Sequence, residues 1–61
     1  MSVHKKLKLE REKLNLSQLE VSLFANINQA IYSKIERGII KPSPNQLKLI
    51  QTCFGVKSKQ I

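Results

Sequence analysis

The sequence predicts an all-α fold, a compact domain of four to five short helices. Apolar residues recur at three- and four-residue intervals along most of the chain, which is the spacing of one helix face. Residues that cap helix N-termini precede three of these segments, and Asn or Gly follows each segment. A chain of 61 residues accommodates one such domain, so residues 1–61 are expected to fold as a single unit.

The first helix is expected at about residues 3–14. Four residues at helical spacing are predicted to lie on its core-facing side: Val3, Leu7, Arg11 and Leu14. Asn15 tolerates the left-handed backbone conformation that commonly ends a helix, so we expect the chain to turn there.

The second helix is expected to open at Ser17 and to run to about Ala25. Ser17 and Glu20 have the three-residue spacing of a capping box, in which each side chain binds the other residue's backbone amide. Asn26 is the next residue suited to a positive φ, which predicts a tight turn at that point.

The third helix is expected at about 29–37, capped by Asn28 and ended by Gly38. The side chains predicted to point inward are Ile27, Tyr32 and Ile35. The outward side chains are amide, small or basic: Asn28, Gln29, Ala30, Ser33, Lys34 and Arg37.

The fourth helix is expected to begin after Ser43, with Pro44 at its first position and Gln46 completing a second capping box. It is predicted to bury Leu47, Ile50 and Phe54 and to end before Gly55. Residues 57–61 are expected to form an incomplete fifth turn of helix.

The charge of the chain points to a polyanionic partner. Eleven Lys and Arg face four acidic residues, giving a formal charge of +7 on a short chain. One His and one Cys supply neither a zinc site nor a catalytic triad, so no enzyme activity, metal, cofactor or small-molecule ligand is expected. The lone Cys53 and the lack of a membrane-length apolar run favour a cytoplasmic protein.

The helices on either side of Asn26 carry the functional signal. Two short helices joined by a turn of about three residues are typical of a helix-turn-helix, whose core is expected at about 17–37. The third helix is roughly 13 Å long, and the major groove of B-DNA is about 12 Å wide, so the helix fits the groove.

A set of residues between Leu7 and Val56 has a specific spacing: Arg11, Leu16-Ser17-Gln18, Glu20, Ile35-Glu36-Arg37-Gly38, Lys41-Pro42-Ser43, Leu47, Ile50 and Phe54-Gly55-Val56. In these residues the stretch resembles the XRE family of helix-turn-helix regulators, which includes the lambdoid phage Cro and lambda repressor DNA-binding domains. The sequence departs from the family at Asn26, where Gly is usual, and at Ser22, where Ala is usual. It also has Tyr32 at an inward position that usually carries Ile or Val, and Ile31 at a position that is usually polar.

The resemblance implies a structural ion pair between Arg11 and Glu36 and a phosphate contact by Gln18. Further phosphate contacts are expected from Asn28, Arg37 and Lys41. The resemblance assigns the base contacts to Gln29, Ala30, Ser33 and Lys34. Ile31 is expected to touch a thymine methyl or a partner subunit.

The function expected from these observations is sequence-specific binding of double-stranded DNA by a Cro-like repressor, of bacterial or phage origin, acting as a homodimer on a palindromic operator. The alternative is a protein-interaction module, such as an antitoxin or a partner of an anti-repressor, that uses exposed Leu9, Ile39 and Ile40. A basic membrane-binding helix is disfavoured by the caps and the folded-domain pattern.

Two further groups are interpreted conservatively. Lys5, Lys6 and Lys8 are taken as an ordinary solvated face of helix one, with phosphate contact as the alternative. His4 is taken as an exposed terminal residue.

Overall fold

The computed structural model describes residues 2–59, which form four α-helices and no strand. In chain order the helices are α1 (Val3–Lys13), α2 (Gln18–Phe24), α3 (Gln29–Glu36) and α4 (Pro44–Ser58). The predicted all-α fold is confirmed. α2 packs against both α3 and α4, and α1 packs against α3.

Local signals place the starts of the last three helices. The Ser17 hydroxyl accepts from the Glu20 amide at 3.0 Å, and the Glu20 carboxylate accepts from the Ser17 amide at 2.9 Å. Ser43 and Gln46 form the same reciprocal box at the start of α4. The Asn28 side chain accepts from the Ala30 amide at 2.8 Å. These contacts satisfy backbone donors that a helix N-terminus leaves without partners.

The turns follow the residues predicted to adopt positive φ. Asn15 has φ 57° and Asn26 has φ 55°, so each reverses the chain directly after a helix. Gly38 has φ 77° and follows α3. The turn at Asn26 brings α2 and α3 together as a helix-turn-helix.

The predicted end of the fourth helix is wrong. α4 continues through Gly55 to Ser58, and Lys59 is its C-cap. Burial of Ile50, Cys53 and Phe54 holds this segment against the core, which outweighs the roughly 1 kcal/mol that Gly costs inside a helix. The predicted fifth turn therefore does not exist as a separate element at Lys57 and Ser58, and residues 60–61 lie outside the described part of the chain.

One hydrophobic core joins all four helices. Its apolar members are Leu7, Leu16, Val21, Ala25, Ile27, Tyr32, Ile35, Ile50, Cys53 and Phe54. Ser22 is also buried, and its hydroxyl donates to the Leu19 carbonyl at 2.8 Å. A small side chain at this position lets α2 lie close to its neighbours while its one polar group stays bonded.

The N-terminal turn of α1 departs from two expectations. Val3, expected on the core-facing side, is 55% exposed, because it stands at the very start of the helix where little chain covers it. His4, interpreted as an exposed terminal residue, is half-buried, and its ring lies directly over Gly38. Only the absence of a side chain at Gly38 leaves room for the ring.

Candidate nucleic-acid interface

α3 presents a mainly polar face to solvent because Tyr32 and Ile35 are turned inward. The inward positions predicted from the sequence, Ile27, Tyr32 and Ile35, are buried. Gln29, Ala30 and Lys34 are exposed, and Ser33 is half-buried. These four residues, predicted as base contacts, therefore share the side of α3 that does not pack against the core.

Ile31 lies at the edge of that face. Its side chain is half-buried and packs against the hydrophobic core. Part of its apolar surface therefore serves the fold, and part remains available beside the exposed polar residues.

The Glu36 carboxylate connects the last turn of α3 to α1 and α2. Arg11 of α1 donates to both carboxylate oxygens, from Nε at 2.6 Å and from Nη2 at 3.1 Å. Gln18 of α2 donates to Oε1 from its side-chain amide at 3.0 Å. The Arg11 guanidinium also donates to the Leu16 carbonyl at 2.8 Å, which ties the loop between α1 and α2 into the same network.

The ion pair is almost shielded from water, since the Arg11 and Glu36 side chains are 12% and 2% exposed. Burial by itself raises the pKa of the Glu36 carboxyl, but the hydrogen bonds from Arg11 and Gln18 outweigh it and hold the pKa below its usual value. The hydrogen bond to Glu36 raises the pKa of Arg11. Both side chains are therefore charged throughout the neutral range, and their charges compensate each other.

Tyr32 borders this network from the core side. Burial, and then the nearby Glu36 carboxylate, raise the pKa of its phenol, so it stays neutral. The hydroxyl approaches Glu36, but it has no partner in hydrogen-bonding geometry among residues 2–59.

Gln18 was expected to contact phosphate, and the structure gives its side chain a second role that the sequence did not reveal. One amide hydrogen is directed to Glu36, which leaves the other hydrogen and the carbonyl free for other partners. Gln18 and Glu36 are 18 residues apart, so no local spacing rule relates them. The only signal for this contact was that α2 and α3 were expected to pack together.

The other residues expected to contact phosphate are all exposed but lie at separate points. Asn28 caps the N-terminus of α3, and Arg37 is the C-cap of the same helix. Lys41 is in the loop before α4. Arg37 and Gln18 line one surface cavity, and Asn28 and Lys41 are not part of its lining.

Gln18 and Arg37 line a shallow surface cavity of about 320 Å³, here called the basic pocket. Its complete lining is His4, Lys5, Lys8, Gln18, Glu36 and Arg37. It lies between the first turns of α1, the start of α2 and the end of α3. This location adjoins the exposed face of α3.

Comparison with known proteins agrees with this geometry. The family model described as helix-turn-helix matches residues 7–61. Searches of curated proteins and of solved structures returned no match. Within residues 2–59, no helix has the length and apolar character needed to cross a membrane.

Proposed function

Because this chain belongs to the XRE family of helix-turn-helix DNA-binding transcription regulators, we propose that it is a Cro-like repressor that binds a palindromic operator as a homodimer. On this proposal the protein is encoded by a bacterium or a phage and acts in the bacterial cytoplasm. The observation that carries the proposal is the orientation of α3 about its own axis. This orientation buries Tyr32 and Ile35 and exposes Gln29, Ala30 and Lys34.

The exposed face of α3 is suited to reading base edges in the major groove. The Gln29 side chain both donates and accepts, which matches N6 and N7 of adenine, and Lys34 donates to O6 or N7 of guanine. Ala30 and Ser33 are small enough to let the helix approach the base edges closely. These four residues select the sequence.

A second group holds the DNA backbone without reading sequence. Arg37 and Lys41 supply exposed positive charges at the end of α3 and in the following loop. Asn28 and the free hydrogen-bonding groups of Gln18 contribute neutral contacts at the starts of α3 and α2. Contacts of this kind set the register of α3 on the duplex.

Two copies are needed because one α3 reads too little DNA. Its eight residues span about 12 Å, which corresponds to three or four base pairs at roughly 3.4 Å each. Two subunits on half-sites about 34 Å apart provide a site long enough to be distinguished in a genome.

The test is selection of bound sequences from a random duplex pool, carried out with the whole chain at two ionic strengths. The proposal predicts a palindromic motif whose half-sites are one helical turn apart, and stronger enrichment at the higher salt, where non-specific binding is weaker. Enrichment of a single non-repeated half-site would reject the homodimer. No enrichment at either salt would reject sequence-specific DNA binding.

The alternative function, a protein-interaction module, has one observation in its favour. Leu9, Ile39 and Ile40 are all exposed, with Ile39 at 59%. Replacing Ile39 with Ser should leave operator affinity and sequence preference unchanged if DNA binding is the function. A chain that selects no DNA motif but loses a protein partner on this substitution would support the alternative.

A further inference from the structure

We propose that Lys5 and Lys8 of α1, together with Arg37 and Gln18, bind one DNA backbone phosphate in the basic pocket, just outside the groove that α3 enters. This inference rests on the proposed function and adds α1 to the interface. It also divides the three N-terminal lysines, which look equivalent in the sequence, into two groups with different roles.

The first support is position. Lys5 and Lys8 are three residues apart, so they lie on the same side of α1, and both line the basic pocket with Arg37. Gln18 reaches the same pocket from the start of α2 while its amide is anchored on Glu36. Three helices therefore supply side chains to one surface site.

The second support is charge. Lys5, Lys8 and Arg37 are exposed cations. The one acidic residue in the lining, Glu36, is buried and already paired with Arg11 at 2.6 Å. The pocket therefore has a net positive charge and a neutral amide donor, a combination that suits a phosphodiester oxygen.

The third support is the different surroundings of Lys6. Lys6 lines a different surface cavity, together with Leu7, Leu47 and Phe54. Lys13, seven residues further along α1 and exposed, lies on the same side as Lys6. α1 thus carries one pair of lysines in the basic pocket and a second pair that serves as a matched control.

The experiment compares two double variants of the whole chain, Lys5→Gln with Lys8→Gln and Lys6→Gln with Lys13→Gln. Both remove two positive charges from exposed positions on one helix, so both change the net charge equally. Dissociation constants are measured on the duplex selected from the random pool and on a random-sequence duplex of the same length, between about 50 and about 200 mM salt.

We expect the Lys5/Lys8 variant to bind both duplexes roughly tenfold more weakly per subunit at low salt, because a phosphate contact carries no sequence information. Its plot of log affinity against log salt should be flatter by up to about 0.9 per subunit, the value for one phosphate, because Arg37 remains in the pocket. Over a fourfold rise in salt, this variant should lose up to about 3.5-fold less affinity per subunit than the unmodified chain. The Lys6/Lys13 variant should keep the original salt slope.

A second measurement locates the phosphate itself. Neutral methylphosphonate is placed at one backbone position at a time across and beyond each half-site of the selected duplex. One position flanking the half-site should weaken binding of the unmodified chain, and its effect should be smaller in the Lys5/Lys8 variant, in which only Arg37 and Gln18 still contact that phosphate. The position with the reduced effect identifies the phosphate that the two lysines contact.

The outcomes separate this inference from the proposed function. If the unmodified chain selects no DNA motif, the proposed function fails. If it binds DNA but the two double variants have equal affinities and equal salt slopes, only the basic pocket assignment is overturned. The Lys5/Lys8 variant is used only if its circular dichroism shows the helical content of the unmodified chain. If it does not fold, the methylphosphonate scan of the unmodified chain tests the basic pocket assignment by itself. A scan with no sensitive position outside the α3 half-site overturns the assignment.

Discussion

Glu36 joins three helices through one carboxylate. It stands at the end of α3, accepts two hydrogen bonds from Arg11 of α1 and accepts one from Gln18 of α2. The carboxylate therefore holds Gln18 in place while taking no charge away from the interface, since Arg11 compensates it. Glu36 can therefore lie beside a DNA-binding surface without repelling the DNA, because Arg11 compensates its charge.

Stability should depend on pH through this carboxylate. The folded-state pKa of Glu36 lies below the unfolded value of about 4.3, so its contribution is complete above that pH and is lost as the pH falls toward the folded pKa. Urea unfolding should show the free energy of unfolding decreasing below about pH 4.5, and Glu36→Gln should make this part of the curve flatter.

At neutral pH, Glu36→Ala should cost about 3–5 kcal/mol, because it leaves the Arg11 charge buried without its partner. Glu12→Gln, on the exposed side of α1, removes the same charge and serves as the control. A loss no larger than the control's would show that the pair contributes little to stability.

Gln29 tests the assignment of base contacts. Gln29→Ala should cost about 1–3 kcal/mol on the selected operator and little on random duplex, because the amide is expected to read an adenine. The measurement is a pair of dissociation constants at one salt concentration. An equal loss on both duplexes would reassign Gln29 to the DNA backbone.

The two glycines have opposite roles in the elements that contain them. Gly38 follows α3 with φ 77°, and a Cβ built there would lie 2.8 Å from the His4 ring. Gly55 lies within α4, where a Cβ would meet no described atom within 4 Å. The first glycine makes the contact between α1 and the end of α3 possible, whereas the second only weakens its helix.

Alanine substitutions should therefore change stability in opposite directions. Gly38→Ala should lower the free energy of unfolding by about 1–2 kcal/mol, because the left-handed backbone is strained with a Cβ and the His4 ring must move. Gly55→Ala should raise it by about 0.5–1 kcal/mol through helix propensity. Both values come from urea unfolding.

Combining His4→Ala with Gly38→Ala separates the two causes of the first effect. The double variant should lose less than the sum of the single variants, because the clash with the ring is removed and only the backbone strain remains. Strict additivity would mean that His4 and Gly38 do not interact.

At the scale of the whole molecule, only some of the cationic side chains behind the formal charge of +7 belong to the proposed DNA interface. Five exposed cations belong to the proposed interface: Lys5, Lys8, Lys34, Arg37 and Lys41. Lys5, Lys8 and Arg37 share the phosphate of the basic pocket and Lys41 contacts a second one, whereas Lys34 reads a base. These side chains therefore neutralise two phosphates per subunit.

The salt dependence of DNA binding should report that number. The slope of log affinity against log salt should be roughly −1.8 per subunit. The slope on random duplex should be similar, since phosphate contacts do not depend on sequence. A slope between zero and about −1 would contradict an interface built on these cations.

The sequence by itself determined the all-α class, the starts of the last three helices, the turns at Asn15 and Asn26 and the inward side of α3. These features follow from interactions between residues a few positions apart, namely caps, positive φ and the spacing of apolar residues.

Tertiary structure decided the bond from Gln18 to Glu36, the placement of the His4 ring over Gly38, the continuation of α4 past Gly55 and the separation of Lys5 and Lys8 from Lys6. Each of these depends on which distant elements meet, because Gln18 and Arg11 are 18 and 25 residues from Glu36 and packing of Phe54 overrides the local preference of Gly55.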